Sequence, residues 1–352
     1  MKTCAKPFLL SVGALLLAGC TEFLAVSSAD APAGGVYKLQ AEGTFQLVKA
    51  SKLNCLVRAR GSRRLYGTTT RGTGGVVVLD EMPFGGYIET KSFAAGGKTP
   101  CHLTLSPDGG FLYTANYSSG SVSEFELKDG LPAGRPRIIR HTGHGVKPRQ
   151  KSPHPHFVSF DAAGRQLYVC DLGLDKVFVY DWTPEAGLRT PAAAELVLPP
   201  GSGPRHLVFS PDGDTLYVAN ELDSTAASFV REGPGKAWRP GKVRSTLPDG
   251  ADKRGNYPGA IRITADGGYF FVANRGDNSI AVFATSDGGD FRLVRTVPSG
   301  GDFPSDLLLT NGDRLLVVGH QKSGGVRSFR HENGILTPSV SYLVPKCAAL
   351  CE

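Results

Sequence analysis

One feature limits what this chain can fold into: a motif of about seventeen residues that returns along most of its length. Five copies open on a proline. They read PCHLTLSPDGGFLYTAN from Pro100, PHFVSFDAAGRQLYVCD from Pro155, PRHLVFSPDGDTLYVAN from Pro204, PGAIRITADGGYFFVAN from Pro258 and PSDLLLTNGDRLLVVGH from Pro304. Each ends on a polar turn-former: Asn116, Asp171, Asn220, Asn274 or His320. A worn copy, NCLVRARGSRRLYGTTT, begins at Asn54, and consecutive copies start 46 to 55 residues apart. Self-similarity at that period marks a repeat architecture and takes precedence over local readings.

Inside a copy, a short apolar run leads to a turn such as SPDG. Pro presets φ, Asp hydrogen-bonds its own backbone and Gly accepts positive φ. A second run, FLYTAN or LYVAN, pairs back on the first. A third follows as SVSEF, KVFVY, TAASF or SIAVF, and a weaker fourth leads to the next copy. Four strands per period is the signature of a β-propeller blade. No copy carries a 3.6-residue apolar period over ten residues, so stacked helical repeats are excluded. The abundance of glycine (45) and proline (24) agrees with many turns. Beyond the six copies, Phe23 to Leu39 reads as strand, turn and strand, and VSYLV at Val340 to Val344 is a further strand segment. The expectation is an all-β, seven-bladed β-propeller of four-stranded antiparallel blades, forming a single domain over 20–352. The termini would share one blade, with VSYLV completing the ring and no sheet edge left open.

The N-terminus reads as a signal. Lys2 and Lys6 precede an apolar stretch, Phe8 to Ala18, that is too short for a comfortable membrane span. It ends LLAGC, and small residues before a cysteine resemble a bacterial lipobox. Residues 1–19 are therefore expected to be a signal peptide and Cys20 the lipidated mature N-terminus. That places the protein in the envelope or periplasm, touching membrane only through the anchor. The net charge of +7 is a mild excess suited to an anionic small substrate. No Lys/Arg run interleaves with aromatics, so nucleic acid is not indicated. Cys55, Cys101 and Cys170 fall on or beside strands as small buried residues. Cys347 and Cys351 sit four apart and either pair or stay as thiols. No spacing reads as a zinc site, and no metal or cofactor is expected.

One loop occurs once. Between Arg140 and Phe157 stand His141, His144, His154 and His156, with Lys147, Arg149 and Lys151. In a propeller the innermost strands line a channel and the loops at one face carry the site. Residues just after each opening proline, and just after each second strand, should approach the axis. That rule selects His102, His154, His156, Arg205, His206, Glu221, Arg275 and His320, and puts Tyr117 in the slot that Glu221 and Arg275 fill later. His156 and Glu221 could move protons. Arg205 and Arg275 could bind a carboxylate or phosphate, or polarise a carbonyl. His154, His102, His206 and Arg149 are the candidate substrate contacts. No GxSxG elbow is present, so water attack on an ester-like carbonyl is favoured over a serine nucleophile. The bland readings are a buried Arg205–Glu221 ion pair, core histidines at His102 and His206, a turn residue at His320 and solvated histidines at His141 and His144. SPDG reads as a turn, not a calcium loop.

The strings GHGVKPRQKSPHPHFVSF, DLGLDKVFVYDW, LPPGSGPRHLVFSPDG, YVANELDST and VANRGDNSIAVF resemble the seven-bladed lactonase family, which contains the propeller-type 6-phosphogluconolactonases and the fungal carboxymuconate cyclases. The similarity spans roughly Phe23 to Arg330. It implies a lactonase acting on a small sugar-type or anionic lactone, with muconate-type lactonisation as the neighbouring chemistry. It places the family's functional histidine on His156, its arginines on Arg205 and Arg275 and its glutamate on Glu221. The chain departs from the family at Ala260, where relatives carry an acid, and at Ser305, where they carry an arginine. A non-catalytic exported binding propeller is the alternative from outside the enzymes.

Overall fold

The computed structural model describes residues 23–27, 34–39, 45–49 and 53–351, except positions 71, 73, 84 and 324. The signal segment and Cys20 lie outside the described residues. Seven antiparallel sheets follow one another around a ring. Blades 1 to 6 run in chain order, and their innermost strands are Cys55–Arg58, Pro100–Leu105, Pro155–Phe160, Pro204–Phe209, Tyr257–Ile263 and Pro304–Thr310. Blade 7 is shared: Leu24–Ser27, Val36–Leu39 and Phe45–Lys49 supply its outer strands, and Cys347–Cys351 pairs with Leu24–Ser27 as the innermost. The termini therefore close the ring as expected, but with a different segment. Val340 to Tyr342 belong to Ile335–Tyr342, the outer strand of blade 6, and it is CAALC that completes blade 7. CAALC is the more apolar segment and is largely buried, as a strand facing the channel between two blades must be.

The second strands read as near-continuous apolar runs because both of their faces are covered. Leu167 and Val169 pack with Tyr113 and Val122 of blade 2, whereas Tyr168 and Cys170 pack with Leu207 and Val218 of blade 4. The core is thus a series of wedges between blades. The outer strands are interrupted: in blades 2 and 3 the outer edge is split into two short strands each. That explains why the fourth segment is faint in the sequence. The polar residue closing each copy is fully buried. Asn116 donates to Ser123 Oγ (2.8 Å), Asn220 to Thr225 Oγ1 (3.0 Å) and Asn274 to Ser279 Oγ (3.1 Å), each locking the turn into the third strand. SPDG is a turn: Asp108 accepts from Ser106 Oγ and Gly110 N–H.

In five blades the pairing of inner and second strands slips just past the opening proline. Pro100, Pro155, Pro204 and Pro304 pair with Asn116, Asp171, Asn220 and His320, and pairing resumes two residues later. Cys101, His156, Arg205 and Ser305 are left unpaired. In blade 5 the slip spans Gly259 and Ala260. Such bulges re-aim a side chain at the end of a strand.

Candidate active site

The bulges bring His156 and Arg205 to one mouth of the channel. The same mouth receives the turns after the second strands, because those strands end beside the prolines. Glu221 and Arg275 occupy these turns, and Arg149 arrives from the loop before blade 3. Glu221, only 4% exposed, is the centre. Its Oε1 accepts from Arg149 Nη1 (2.5 Å) and its Oε2 from Arg275 Nη2 (2.5 Å). Arg205 Nε stands 3.1 Å from Oε2, but its N–H is not aimed at the oxygen and has no hydrogen-bond partner. Arg205 is thus held by charge while keeping a donor unspent.

Three cations around one carboxylate set the electrostatics. Burial pushes the Glu221 carboxyl up, but Arg275, Arg205 and Arg149 override it and hold it well below the usual carboxylate range. For Arg205, burial and then Arg275 bring the guanidinium down to about 10. Arg275 is fixed further by donating Nε–H to the Tyr257 carbonyl (2.9 Å). Gly259 fits below both guanidiniums, since a Cβ there would lie 3.1 Å from Arg275 Nε and 3.5 Å from Arg205 Nη1.

Burial, followed by Arg205, pushes His156 well below the usual imidazole range, so it is neutral at neutral pH. Its Nδ1 has no partner among the described residues. Tyr117 stands edge-on to it (5.8 Å between ring centres, 86°) and stacks flat on His154 (4.3 Å, 10°). Tyr117 Oη accepts from Arg149 Nη2 (3.1 Å), and the Tyr117 carbonyl bonds His154 Nδ1 (2.9 Å). His154 is therefore a brace behind His156. His102 and His206 lie one step deeper, each against the Phe157 ring (4.1 and 4.6 Å) and 5.7 Å from each other, lining a cavity of about 200 Å³ to which all seven inner strands contribute. Burial takes His102 down to about 3 and His206 well below its usual range. His206 Nε2 lies 3.1 Å from Arg205 Nη1 and can only accept from it.

The loop bearing Arg149 is rigidly built. Gln150 is fully buried, donating to the Leu172 carbonyl and Asp175, and Asp171 accepts from the backbone N–H groups of His154 and Gly173. His141 is not solvated: it is buried, with Nδ1 on Asp171 (2.6 Å) and Nε2 on Tyr180 Oη (3.0 Å). The Asp171 carboxylate draws it inward. His144 is exposed. His320 fills the buried slot that asparagine fills in other blades and stays off the axis, bonding the Gly325 carbonyl. Ala260 packs between blades 5 and 6, and Ser305 donates to the carbonyls of Gly319 and Cys347. Cys347 and Cys351 form no disulfide, being four apart on one face of a strand, about 13 Å by strand rise.

Residues 23–350 match the family profile described as "Lactonase, 7-bladed beta-propeller". The chain belongs to the seven-bladed propeller lactonase family. A relative from Bacillus subtilis (strain 168), described as 6-phosphogluconolactonase, is 34% identical over 259 residues, covering 71% of this chain and 73% of its own. Among solved structures, the Pseudomonas aeruginosa periplasmic gluconolactonase superposes with a TM-score of 0.85 at 30% identity, covering 94% of this chain and 98% of its own. A protein from Lactobacillus plantarum gives the same TM-score at 27% identity with the same coverage.

The channel also has features that the repeat did not announce. Arg262 and Asp306 pair across the lower channel (3.0 Å), and Asp306 accepts from Leu350 N–H, tying blades 5, 6 and 7. Phe303 stands beside Arg275, and Lys322 lies over the same ring. Aromatic residues in loops gave no chemical signal in the sequence, and only the slot shared by Tyr117, Glu221 and Arg275 pointed there. No group of His, Cys, Asp and Glu among the described residues is arranged to hold a metal ion.

Proposed function

We propose that the protein hydrolyses a sugar-type lactone at this mouth. The observation that carries the reading is a neutral imidazole, His156, and an arginine with an unspent donor, Arg205, side by side on adjacent blades of a lactonase-family propeller.

Water attacks the lactone carbonyl carbon while His156 takes its proton. The carbonyl oxygen gains the negative charge, and Arg205 stabilises it in a site where water is largely excluded. Collapse breaks the ring C–O bond, and His156 returns the proton to the departing ring oxygen, releasing the hydroxy acid. Arg275 and Arg149 orient the rest of the substrate. From its position Glu221 is expected to share the proton transfer, but its carboxylate is engaged by three guanidinium partners. Its role here is to hold the arginines in place.

The names of the Bacillus and Pseudomonas relatives support a sugar lactone as the substrate. The Lys2 to Cys20 segment supports export and lipidation at Cys20, which also accords with the word periplasmic in the Pseudomonas name. Release of protein from the membrane fraction in Cys20→Ser tests the anchor. For the chemistry, lactone hydrolysis followed by pH-stat should fall on the order of 10²-fold or more in His156→Ala. Rates equal to wild type would leave a propeller that binds without catalysing.

A further inference from the structure

Phe303 stands at the mouth, just before Pro304. Its φ is +63°, and the same slot is also left-handed at Thr99 (+56°) before Pro100 and at Gly203 (+66°) before Pro204, so the turn belongs to the scaffold and the side chain is what is particular to blade 6. That side chain makes specific contacts. The Arg275 guanidinium carbon lies 5.4 Å from its ring centre and Lys322 Nζ 4.1 Å. Its backbone is pinned, with N–H donated to Asn278 Oδ1 (2.8 Å) and the carbonyl accepting from Gln321 N–H (3.0 Å).

Lys322 is exposed, and no carboxylate among the described residues lies within ion-pair distance of its Nζ. The nearest acid in its loop, Asp302, is engaged by Asn278 Nδ2 (2.9 Å) and gives its carbonyl to Lys322 N–H. A contact path therefore runs around the mouth: Lys322, Phe303, Arg275, Glu221, Arg149, Tyr117, His154. It holds three cations to one anion, with Arg205 as a further cation inside. Arg149 and Arg275 each give an N–H to Glu221, whereas Lys322 is held in place by a π-face, which leaves its ammonium donors for a ligand.

We propose that Phe303 and Lys322 form a specificity corner. The ring positions both cations, and Lys322 binds an anionic group of the substrate remote from the reacting carbonyl. A phosphate ester on the sugar is the group of this chemistry. The proposal rests on the lactonase reading of the same mouth.

The test compares glucono-lactone with its 6-phosphate. Wild type should prefer the phosphorylated lactone, and Lys322→Met should lower the ratio of kcat/KM (phosphorylated over plain) roughly tenfold, through KM. Lys322→Arg should restore most of the ratio, and Phe303→Leu should lower it in the same direction. A variant that merely loosened the fold would move both substrates together. A wild type without preference, or a Lys322→Met loss equal on both substrates, overturns the corner. Calorimetric binding of 6-phosphogluconate against gluconate separates the two readings. Selective phosphate binding that Lys322→Met abolishes, without hydrolysis of any lactone, keeps the corner and ends the lactonase reading. Hydrolysis of both lactones with no phosphate preference does the reverse.

Discussion

At the residue scale, the charge at the mouth turns on Glu221. Glu221→Gln keeps the shape and removes the anion that three guanidiniums share. Breaking a buried pair costs about 3–5 kcal/mol. Arg149 is 47% exposed and can relax into water, so about 3 kcal/mol is expected, read from urea denaturation, with kcat/KM falling on the order of 10²-fold. Arg149→Ala should be milder, under about 1 kcal/mol in stability, with the loss appearing in KM. The imidazoles add a pH signature. Burial depresses His102, His156 and His206, so the unfolded chain takes up their protons first as pH falls. Their stabilising effect is fully present above about pH 6.5, the unfolded imidazole value, and is lost on acidification below it. Each adds a slope of about 1.4 kcal/mol per pH unit until its folded value is reached. Urea midpoints taken from pH 8 to pH 5 should therefore drop steeply below pH 6.5, and His206→Leu should flatten the drop. His156, Arg205, Glu221 and Arg275 were legible because the repeat fixes which slots face the axis. Phe303 and Lys322 were not, because a backbone forced to positive φ and a cation over a ring leave no pattern in a single sequence.

At the element scale, the useful unit is the short slip after each opening proline. The strands themselves were legible almost to the residue: FLYTAN is Phe111–Asn116 and TLYVAN is Thr215–Asn220. The slip was not, since extra residues in a ladder show only when the partner is known. It matters because it turns His156 and Arg205 toward the channel, whereas a regular ladder would set them against a neighbouring blade. The loop before blade 3 depends on an equally close fit. A Cβ on Gly173 would collide with the Ser152 carbonyl and stand 2.8 Å from His154 N, where backbone has no room to give. Gly173→Ala should cost about 1–3 kcal/mol and shift the segment that delivers Arg149. A rise in KM accompanying a lower thermal midpoint would be the expected pair of readings, and an unchanged midpoint would show that the two loops are not in contact.

At the scale of the whole molecule, the apolar wedges are each built from two neighbouring blades, so the ring depends on its closure. Repeat spacing made seven blades and shared termini legible. It did not identify the closing strand, because CAALC carries no proline, no SPDG turn and no partner within its own stretch of sequence. Its place is fixed only by Leu24–Ser27 from the far end, and by the burial of Cys347 and Leu350 with Phe23, Ala25 and Val317. The Ser305 hydroxyl on the Cys347 carbonyl (2.6 Å) and the Asp306 carboxylate on Leu350 N–H (2.9 Å) add polar ties across the seam. Truncation after Pro345 would strip the channel-facing strand from blade 7 and leave the edges of blades 6 and 1 uncovered. Such a chain should lose cooperative thermal unfolding and elute as aggregate, and supplying the CAALC strand as a separate peptide should not restore it at micromolar concentration, since closure would then lack the advantage of a covalent tether. A truncated chain that still melts in one transition near the full-length midpoint would mean that the seam contributes little, and that six blades and three strands suffice to hold the mouth in shape.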